Sequence, residues 1–184
     1  GEFQTFEVPS RENQTVLDVV TEIQRTQDET LSYRYACRVG MCGSCAMVVN
    51  EKPRWTCRTR VDKLGIGPLK LEPLRNLPIV KDLAVDMEPF FDKWKNAHGY
   101  FEPGANPPAE FAVIAPDSSG REAANDGIEC INCGICYSAC DVVSWNPDYL
   151  GPAALNRAWT LVNDVRDRGQ DERLSAVSGD AGCH

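Results

Sequence analysis

The spacing of the cysteines is the feature of this sequence that points most directly to chemistry. Four of them follow one another as C-x2-C-x2-C-x3-C, namely Cys130, Cys133, Cys136 and Cys140. This is the spacing of the bacterial ferredoxin run, in which three thiolates hold one cubane iron–sulfur cluster and the fourth reaches a different cluster. Gly134 lets the backbone turn tightly and point its N–H groups at the sulfurs. The run therefore predicts two neighbouring clusters.

A zinc knuckle or a disulfide staple is the alternative interpretation of the same run. Zinc sites usually combine one C-x2-C pair with a second, distant pair. Three cysteines in strict steps of two residues suit that arrangement poorly, so the spacing favours iron and sulfide over zinc.

A second array lies earlier in the chain, within YACRVGMCGSCAM. Its cysteines, Cys37, Cys42 and Cys45, have the C-x4-C-x2-C spacing of plant-type 2Fe-2S proteins. Gly40 and Gly43 allow the loop to curl with its amides pointing inward. A hairpin predicted after the loop returns Cys57 to it, which makes Cys57 the natural fourth ligand. The alternative is that Cys57 is only a small buried hydrophobic residue.

The number of cysteines limits the number of clusters in the second half of the chain. Cys183 is the fifth cysteine there, and five thiolates are too few for two clusters when a 4Fe-4S cluster takes four by itself. We therefore expect the sequence to be truncated, with two ligands beyond residue 184. The rival interpretation is a single 4Fe-4S cluster that uses Cys140 as its fourth ligand and leaves Cys183 spare.

Composition excludes several classes of protein. The 184 residues include 19 basic and 27 acidic side chains, for a net charge of -8, and an acidic chain without a basic stripe argues against nucleic-acid binding. The longest apolar runs are a few residues, so no membrane-spanning helix of about 20 apolar residues is predicted. Ligand thiolates must stay reduced, which implies a reducing compartment.

Hydrophobic patterning predicts an α+β fold. A strand over residues 3–8, a helix over 15–25, a hairpin over 46–50 and 54–59, and a short strand over 69–72 describe a β-grasp, ferredoxin-like module. Helices are predicted over residues 86–100, 121–127, 152–167 and 171–177. We therefore predict three segments: a 2Fe-2S domain over 1–85, a helix and connecting segment over 86–120, and an incomplete helical, bacterial-ferredoxin-like domain over 121–184.

Both arrays in this order resemble the iron–sulfur subunit of succinate dehydrogenase and fumarate reductase. The resemblance covers nearly the whole chain, and the stretches that carry it are YACRVGMCGSCAMVVN, CINCGICYSAC, WNPDYLGPAAL and DVRDRGQDERL. It is specific because the two arrays and the NP-x-x-x-GPA segment agree in order and distance. The family's first strand and two of its ligand cysteines have no counterpart in this sequence.

The resemblance implies a role for each matching residue. Cys37, Cys42, Cys45 and Cys57 match the ligands of the 2Fe-2S cluster. Cys130, Cys133 and Cys136 match ligands of the 4Fe-4S cluster, and Cys140 and Cys183 match ligands of the 3Fe-4S cluster. Trp145 and His184 match quinone contacts, with a core aromatic as the alternative for Trp145. Asp141 stands where the family usually has proline, and its charge should lower the potential of the nearby cluster.

The implied function is electron transfer between a flavoprotein subunit with FAD and a membrane quinone, as part of a succinate:quinone oxidoreductase. No substrate chemistry is expected on this chain. Its other implied partners are one or more membrane-anchor subunits, which would hold it peripherally at the cytoplasmic face of a bacterial inner membrane or at the mitochondrial matrix face. The rivals are an iron–sulfur subunit of another flavoprotein reductase, of the heterodisulfide or thiol-driven type, and a zinc-loaded interaction protein without redox function.

Overall fold

The computed structural model describes residues 2–105 and 110–182, and the chain divides into two compact units. The first unit contains Gly1–Asp86 together with Cys133–Ala139, and the second contains Met87–Asn132 together with Cys140–His184. Short strands and several helices give the expected α+β class. The division into 1–85, 86–120 and 121–184 stays a prediction. Within the described residues, no helix is both long and apolar enough to cross a membrane.

Helix α1, Val16–Thr26, begins at a capping box and buries its apolar face in the first unit. The Asp18 amide donates to Thr15 Oγ1 at 3.2 Å, and the Thr15 amide donates to Asp18 Oδ2 at 3.0 Å. Val16, Leu17 and Val20 are buried. Because β-branched residues are weak helix formers, the cap and this packing, rather than intrinsic propensity, hold the helix.

We expect Thr15→Ala to lower the free energy of unfolding by about 1 kcal/mol, because the Asp18 amide loses its acceptor at the helix N-terminus. Thr26→Ala is the control, since Thr26 lies in the last turn of the same helix, is exposed, and its hydroxyl donates to the Glu22 carbonyl. Urea unfolding followed by circular dichroism measures both. Equal losses in the two variants would contradict the capping role.

A three-stranded antiparallel sheet follows the helix. It contains β1, Ala46–Val49, flanked by β2, Lys52–Trp55, and β3, Leu71–Glu72. Asn50 and Glu51 connect β1 to β2 with φ values of 46° and 69°, which is the left-handed pair that a two-residue type I′ hairpin requires. The turn therefore fixes the register Ala46↔Trp55.

Two strand predictions in this unit were wrong. Residues 3–8 form no strand among the described residues; the side chains of Gln27 and Gln14 instead donate to the Glu7 and Pro9 carbonyls. The strand predicted over 54–59 ends at Trp55 and continues as a 3-10 turn, Thr56–Arg58. Alternating residues form a strand only where a neighbouring strand completes the hydrogen-bond ladder. Among the described residues, 3–8 and 56–58 belong to no strand, whereas 54 and 55 pair with β1.

The first unit is completed by a hairpin and by a distant segment. The hairpin pairs β4, Ile79–Lys81, with β5, Ala84–Val85. The distant segment contains the short helix α4, Ile135–Ser138. Two hydrogen bonds attach α4 to the loop before the hairpin: the Arg75 amide donates to Ser138 Oγ at 2.8 Å, and Asn76 Nδ2 donates to the Tyr137 carbonyl at 3.0 Å.

The second unit is helical. Its helices are α2, Glu88–Asn96; α3, Ser119–Ala124; α5, Asp141–Trp145; α6, Pro152–Val162; and α7, Gln170–Ala176. Part of its core is Ala97, Leu150 and Ala154, with Trp94 packed against them. Pro152 begins α6, where its missing N–H costs nothing. The four helices predicted for this part of the chain are present: α2 and α6 are shorter than predicted, and α3 and α7 begin two residues and one residue earlier.

An ion pair with no solvent exposure lies in this unit, between Asp167 and Arg173. Arg173 Nη1 donates to Asp167 Oδ1 at 2.8 Å and Nη2 donates to Oδ2 at 3.2 Å. The Gly169 and Glu102 amides also donate to the carboxylate. Burial acts to raise the pKa of Asp167, but the hydrogen bonds from Arg173 and the two amides outweigh it and hold the pKa below its usual value.

Arg173 also donates to three backbone carbonyls, two of them on the stretch 98–100 and one just before its own helix. Its Nε donates to the His98 carbonyl at 2.9 Å, Nη2 to the Tyr100 carbonyl at 3.0 Å and Nη1 to the Gly169 carbonyl at 3.1 Å. A guanidinium carries five N–H donors, and a buried charge is tolerated when it is paired and hydrogen-bonded in this way. The buried Arg173 side chain therefore holds these backbone segments together in the core of the unit.

Candidate iron–sulfur sites

The loop from Cys37 to Cys45 directs its backbone amides at one sulfur. The N–H groups of Val39, Met41 and Cys42 approach Cys37 Sγ, with N–S distances of 3.5, 3.2 and 3.3 Å. The Cys37 amide in turn approaches Cys42 Sγ at 3.5 Å. Three donors around one sulfur suit a thiolate, which accepts hydrogen bonds but has none to donate. The loop therefore directs its N–H groups at a position where they would stabilise a negatively charged sulfur.

The hairpin brings the other two cysteines of the first array to the same place. Cys45 immediately precedes β1, and Cys57 lies in the 3-10 turn after β2. Thr56 joins the two ends, because its amide and its Oγ1 both donate to the Cys45 carbonyl, at 3.3 and 2.8 Å. Cys45 and Cys57 are 3% and 7% exposed and share a core cluster with Leu17.

The thiols of this array differ in acidity. The Cys37 amide and the hydrogen bonds from Ser44 lower the pKa of Cys42 to about 6. Burial, helped by a hydrogen bond with Cys45, raises the pKa of Cys57 to about 11. Iron binds thiolates, so a metal must displace a proton from Cys57, whose burial opposes ionisation, whereas the hydrogen bonds to Cys42 favour its thiolate.

An ion pair ties the loop to the cap of α1. Arg38 Nη2 lies 3.0 Å from Asp18 Oδ1, while the other oxygen of that carboxylate serves the capping box. Burial acts to raise the pKa of Asp18, but hydrogen bonds from Thr15 and Arg38 hold it below its usual value. Nothing in the sequence indicated this link between the loop and the cap.

A buried donor near the first array lacks a partner. The indole N–H of Trp55 has no hydrogen bond within the described part of the chain, and Trp55 packs against the cluster that contains Cys45 and Cys57. Buried donors are nearly always satisfied. Four thiols, inward-facing amides and this unsatisfied donor fit a 2Fe-2S group, which would be held by Cys37, Cys42, Cys45 and Cys57.

The cysteines of the second run lie on short turns. Cys133 and Cys136 belong to the first unit, whereas Cys130 and Cys140 belong to the second. Asn132 and Gly134 adopt left-handed φ values of 57° and 75°, which give the tight turns predicted for this run.

No described cysteine forms a disulfide. Within residues 2–105 and 110–182, no group of three or more His, Cys, Asp or Glu is arranged to hold a metal ion.

The residues after the run flank a surface cavity. Trp145 is 79% exposed at the end of α5, so the core-aromatic interpretation was wrong. A cavity of about 470 Å³ is lined by Val142, Asn146, Asp148, Tyr149, Asp180 and Gly182.

Asp141 is the first residue of α5, a position that suits either a proline or an acidic side chain. Cys183 and His184 lie outside the described residues.

Comparison with known proteins places the chain in a family. Residues 1–92 match the model of a 2Fe-2S iron–sulfur cluster binding domain. The chain is 38% identical to the fumarate reductase iron–sulfur subunit of Mycobacterium tuberculosis and 34% identical to that of Haemophilus influenzae. These matches cover 98% and 97% of this chain, and 74% and 73% of the two relatives.

A plant relative and a solved structure agree with this result. The chain is 36% identical to the mitochondrial succinate dehydrogenase iron–sulfur subunit 1 of Oryza sativa, over 89% of this chain and 58% of that protein. A chain of the apo Mycobacterium smegmatis Sdh1 complex superimposes with a TM-score of 0.78 at 26% identity, covering 90% of this chain and 70% of its own. The predicted fold class and the resemblance are confirmed: the chain belongs to the family of fumarate reductase and succinate dehydrogenase iron–sulfur subunits.

Proposed function

We propose that this chain transfers electrons, one at a time, between a flavoprotein subunit with bound FAD and a quinone at a membrane-anchor subunit. The observation that carries the proposal is the loop in which three amides surround Cys37 Sγ while the hairpin returns Cys57 to Cys45. Membership in the family and the match to a 2Fe-2S domain support it.

The chain would act by holding clusters and tuning their potentials. A bound 2Fe-2S group supplies a one-electron redox centre, whose potential depends on nearby charge, hydrogen bonds and burial. The amides of Val39, Met41 and Cys42 would stabilise negative charge on that centre and so raise its potential. The Asp18–Arg38 pair would hold the loop that carries these amides.

The proposal extends to two further clusters on the second run. Its spacing supports a 4Fe-4S cluster on Cys130, Cys133 and Cys136, and a 3Fe-4S cluster with Cys140 and Cys183 among its ligands. Trp145 and His184 are the proposed quinone contacts, and the exposure of the Trp145 indole supports a role in binding. The chain would then sit peripherally at a membrane, at the cytoplasmic or matrix face, held there by its partners.

The function is tested by reducing the full complex, purified anaerobically, with succinate. We expect acid-labile sulfide and iron bound to this subunit, and an electron paramagnetic resonance signal of a reduced 2Fe-2S centre that appears with succinate. Dithionite serves as the control reductant, because it reduces the clusters without the flavoprotein. A colourless subunit with stoichiometric zinc would contradict the proposal. A signal with dithionite but none with succinate would instead contradict the assigned electron donor.

A further inference from the structure

The indole N–H of Trp55 is a buried donor without a hydrogen bond among the described residues. Trp55 is the last residue of β2 and pairs with Ala46, which directly follows Cys45. Its side chain packs against the core cluster of Leu17, Cys45 and Cys57. A buried donor that stays unpaired costs about 1–3 kcal/mol, so we expect its acceptor to be a bound group or an ordered water.

The surroundings of this indole suit a sulfur-containing anion better than a water. A buried water needs two to four polar partners, but the core cluster offers an aliphatic side chain and two thiols, which are weak acceptors. Tyr33 also packs against the cluster, and its hydroxyl bonds to α1 instead, with Thr21 Oγ1 at 3.1 Å and Gln24 Oε1 at 3.3 Å. The same two thiols are proposed ligands of a 2Fe-2S group, whose sulfurs carry negative charge and accept hydrogen bonds.

The indole lies on the buried side of the first array. The amides of the loop converge mainly on Cys37 and Cys42, which are half-buried. The other two thiols are buried, and the Gly40 amide donates to Cys57. Trp55 would add a side-chain donor on this side, where the low local dielectric strengthens a hydrogen bond.

We propose that the indole N–H of Trp55 donates a hydrogen bond to a sulfur of the bound 2Fe-2S group, on the side held by Cys45 and Cys57. The inference rests on the proposed function. Reduction adds one electron to this group with no proton moved, and a donor at one of its sulfurs stabilises the added negative charge. The Trp55 side chain therefore raises the midpoint potential of the centre without acting as a ligand.

The first test is Trp55→Phe in the full complex, purified anaerobically. The variant keeps an aromatic ring against the core cluster and removes the N–H. We expect iron and sulfide to be retained and the midpoint potential of the 2Fe-2S centre to shift to a lower value. A redox titration followed by electron paramagnetic resonance measures the shift, and an unchanged potential would overturn the inference.

Tyr33→Phe is the matched control, because it changes the other aromatic side chain that packs against the same core cluster. This variant also removes one polar group, but that group is bonded to α1 and not to the thiols. Its midpoint potential should equal that of the wild type. Equal shifts in Tyr33→Phe and Trp55→Phe would show that packing, and not the indole N–H, sets the potential.

An isotope label detects the hydrogen bond directly. Tryptophan that carries ¹⁵N only at the indole nitrogen is incorporated into the complex, and pulsed electron paramagnetic resonance of the reduced 2Fe-2S centre is recorded. We expect a weak ¹⁵N coupling in the wild type that disappears in Trp55→Phe. The coupling should persist in Trp94→Phe, which removes a buried indole N–H of the second unit that also lacks a partner in the described part of the chain.

The outcomes separate this inference from the function on which it rests. A wild-type complex without a 2Fe-2S signal, even after reduction with dithionite, would contradict the proposed function. A normal 2Fe-2S signal without ¹⁵N coupling would overturn the inference alone. Should Trp55→Phe lose its iron, the labelled wild type decides, because the presence of the coupling supports the inference and its absence rejects it.

Discussion

Replacing Asp167 by asparagine is expected to lower the free energy of unfolding by about 3–5 kcal/mol, because it leaves the buried Arg173 guanidinium without its counter-charge. The side chains of both residues are fully buried, and five hydrogen bonds to backbone groups surround the pair. Folded domains are stable by only about 5–15 kcal/mol, so the loss should remove a large share of the total. Urea unfolding at neutral pH measures it.

Two further measurements identify the charge as the cause. Arg166→Gln, which breaks the ion pair between the exposed Arg166 side chain and the half-buried Asp164, should change stability much less than Asp167→Asn. The contribution of Asp167 is complete above the unfolded aspartate pKa of about 3.9, and is lost as pH falls from there through the lower pKa of the folded state. Asp167→Asn should therefore flatten the acid side of the stability profile. An unchanged acid side would contradict the argument.

Replacing Cys37 by alanine is expected to abolish the 2Fe-2S centre. Cys37 Sγ is the sulfur at which three amides converge, so its loss removes a ligand and leaves those donors facing an empty space. The measurement is iron and sulfide content per chain, together with the resonance signal of the reduced complex. We expect iron to fall by the complement of one cluster and the 2Fe-2S signal to disappear.

The control for this prediction lies in the same loop. Met41 is 70% exposed and contributes only its backbone amide to Cys37, so Met41→Ala keeps every donor and should keep the cluster. A full 2Fe-2S signal in Cys37→Ala would show that Cys37 is not a ligand. Loss of the signal in Met41→Ala would show that any substitution in this loop removes the cluster, so that the loss in Cys37→Ala would not identify Cys37 as a ligand.

Local features of this protein could be predicted from its sequence. The spacing of the cysteines and the glycines among them predicted the loop, and the pattern of residues 46–59 predicted the hairpin. A two-residue turn fixes strand register, which explains why Cys57 could be expected near Cys45 although the strand ends two residues earlier, at Trp55.

Contacts between distant segments could not be predicted. The periodicity of a short helix indicates which face is apolar but not which surface covers it, so nothing in residues 135–138 pointed to Arg75 or Asn76. Residues 3–8 failed for a related reason, since an alternating pattern does not say whether a partner strand exists.

The placement of Cys133–Ala139 in the first unit has a consequence for synthesis on the ribosome. Ser138 and Tyr137 bond to Arg75 and Asn76 across more than sixty positions of chain. A nascent polypeptide that has emerged only to residue 86 lacks this piece, so the amino-terminal half waits, partly open, while about fifty more residues are translated. Folding of the first unit therefore depends on contacts that join residues far apart in the sequence.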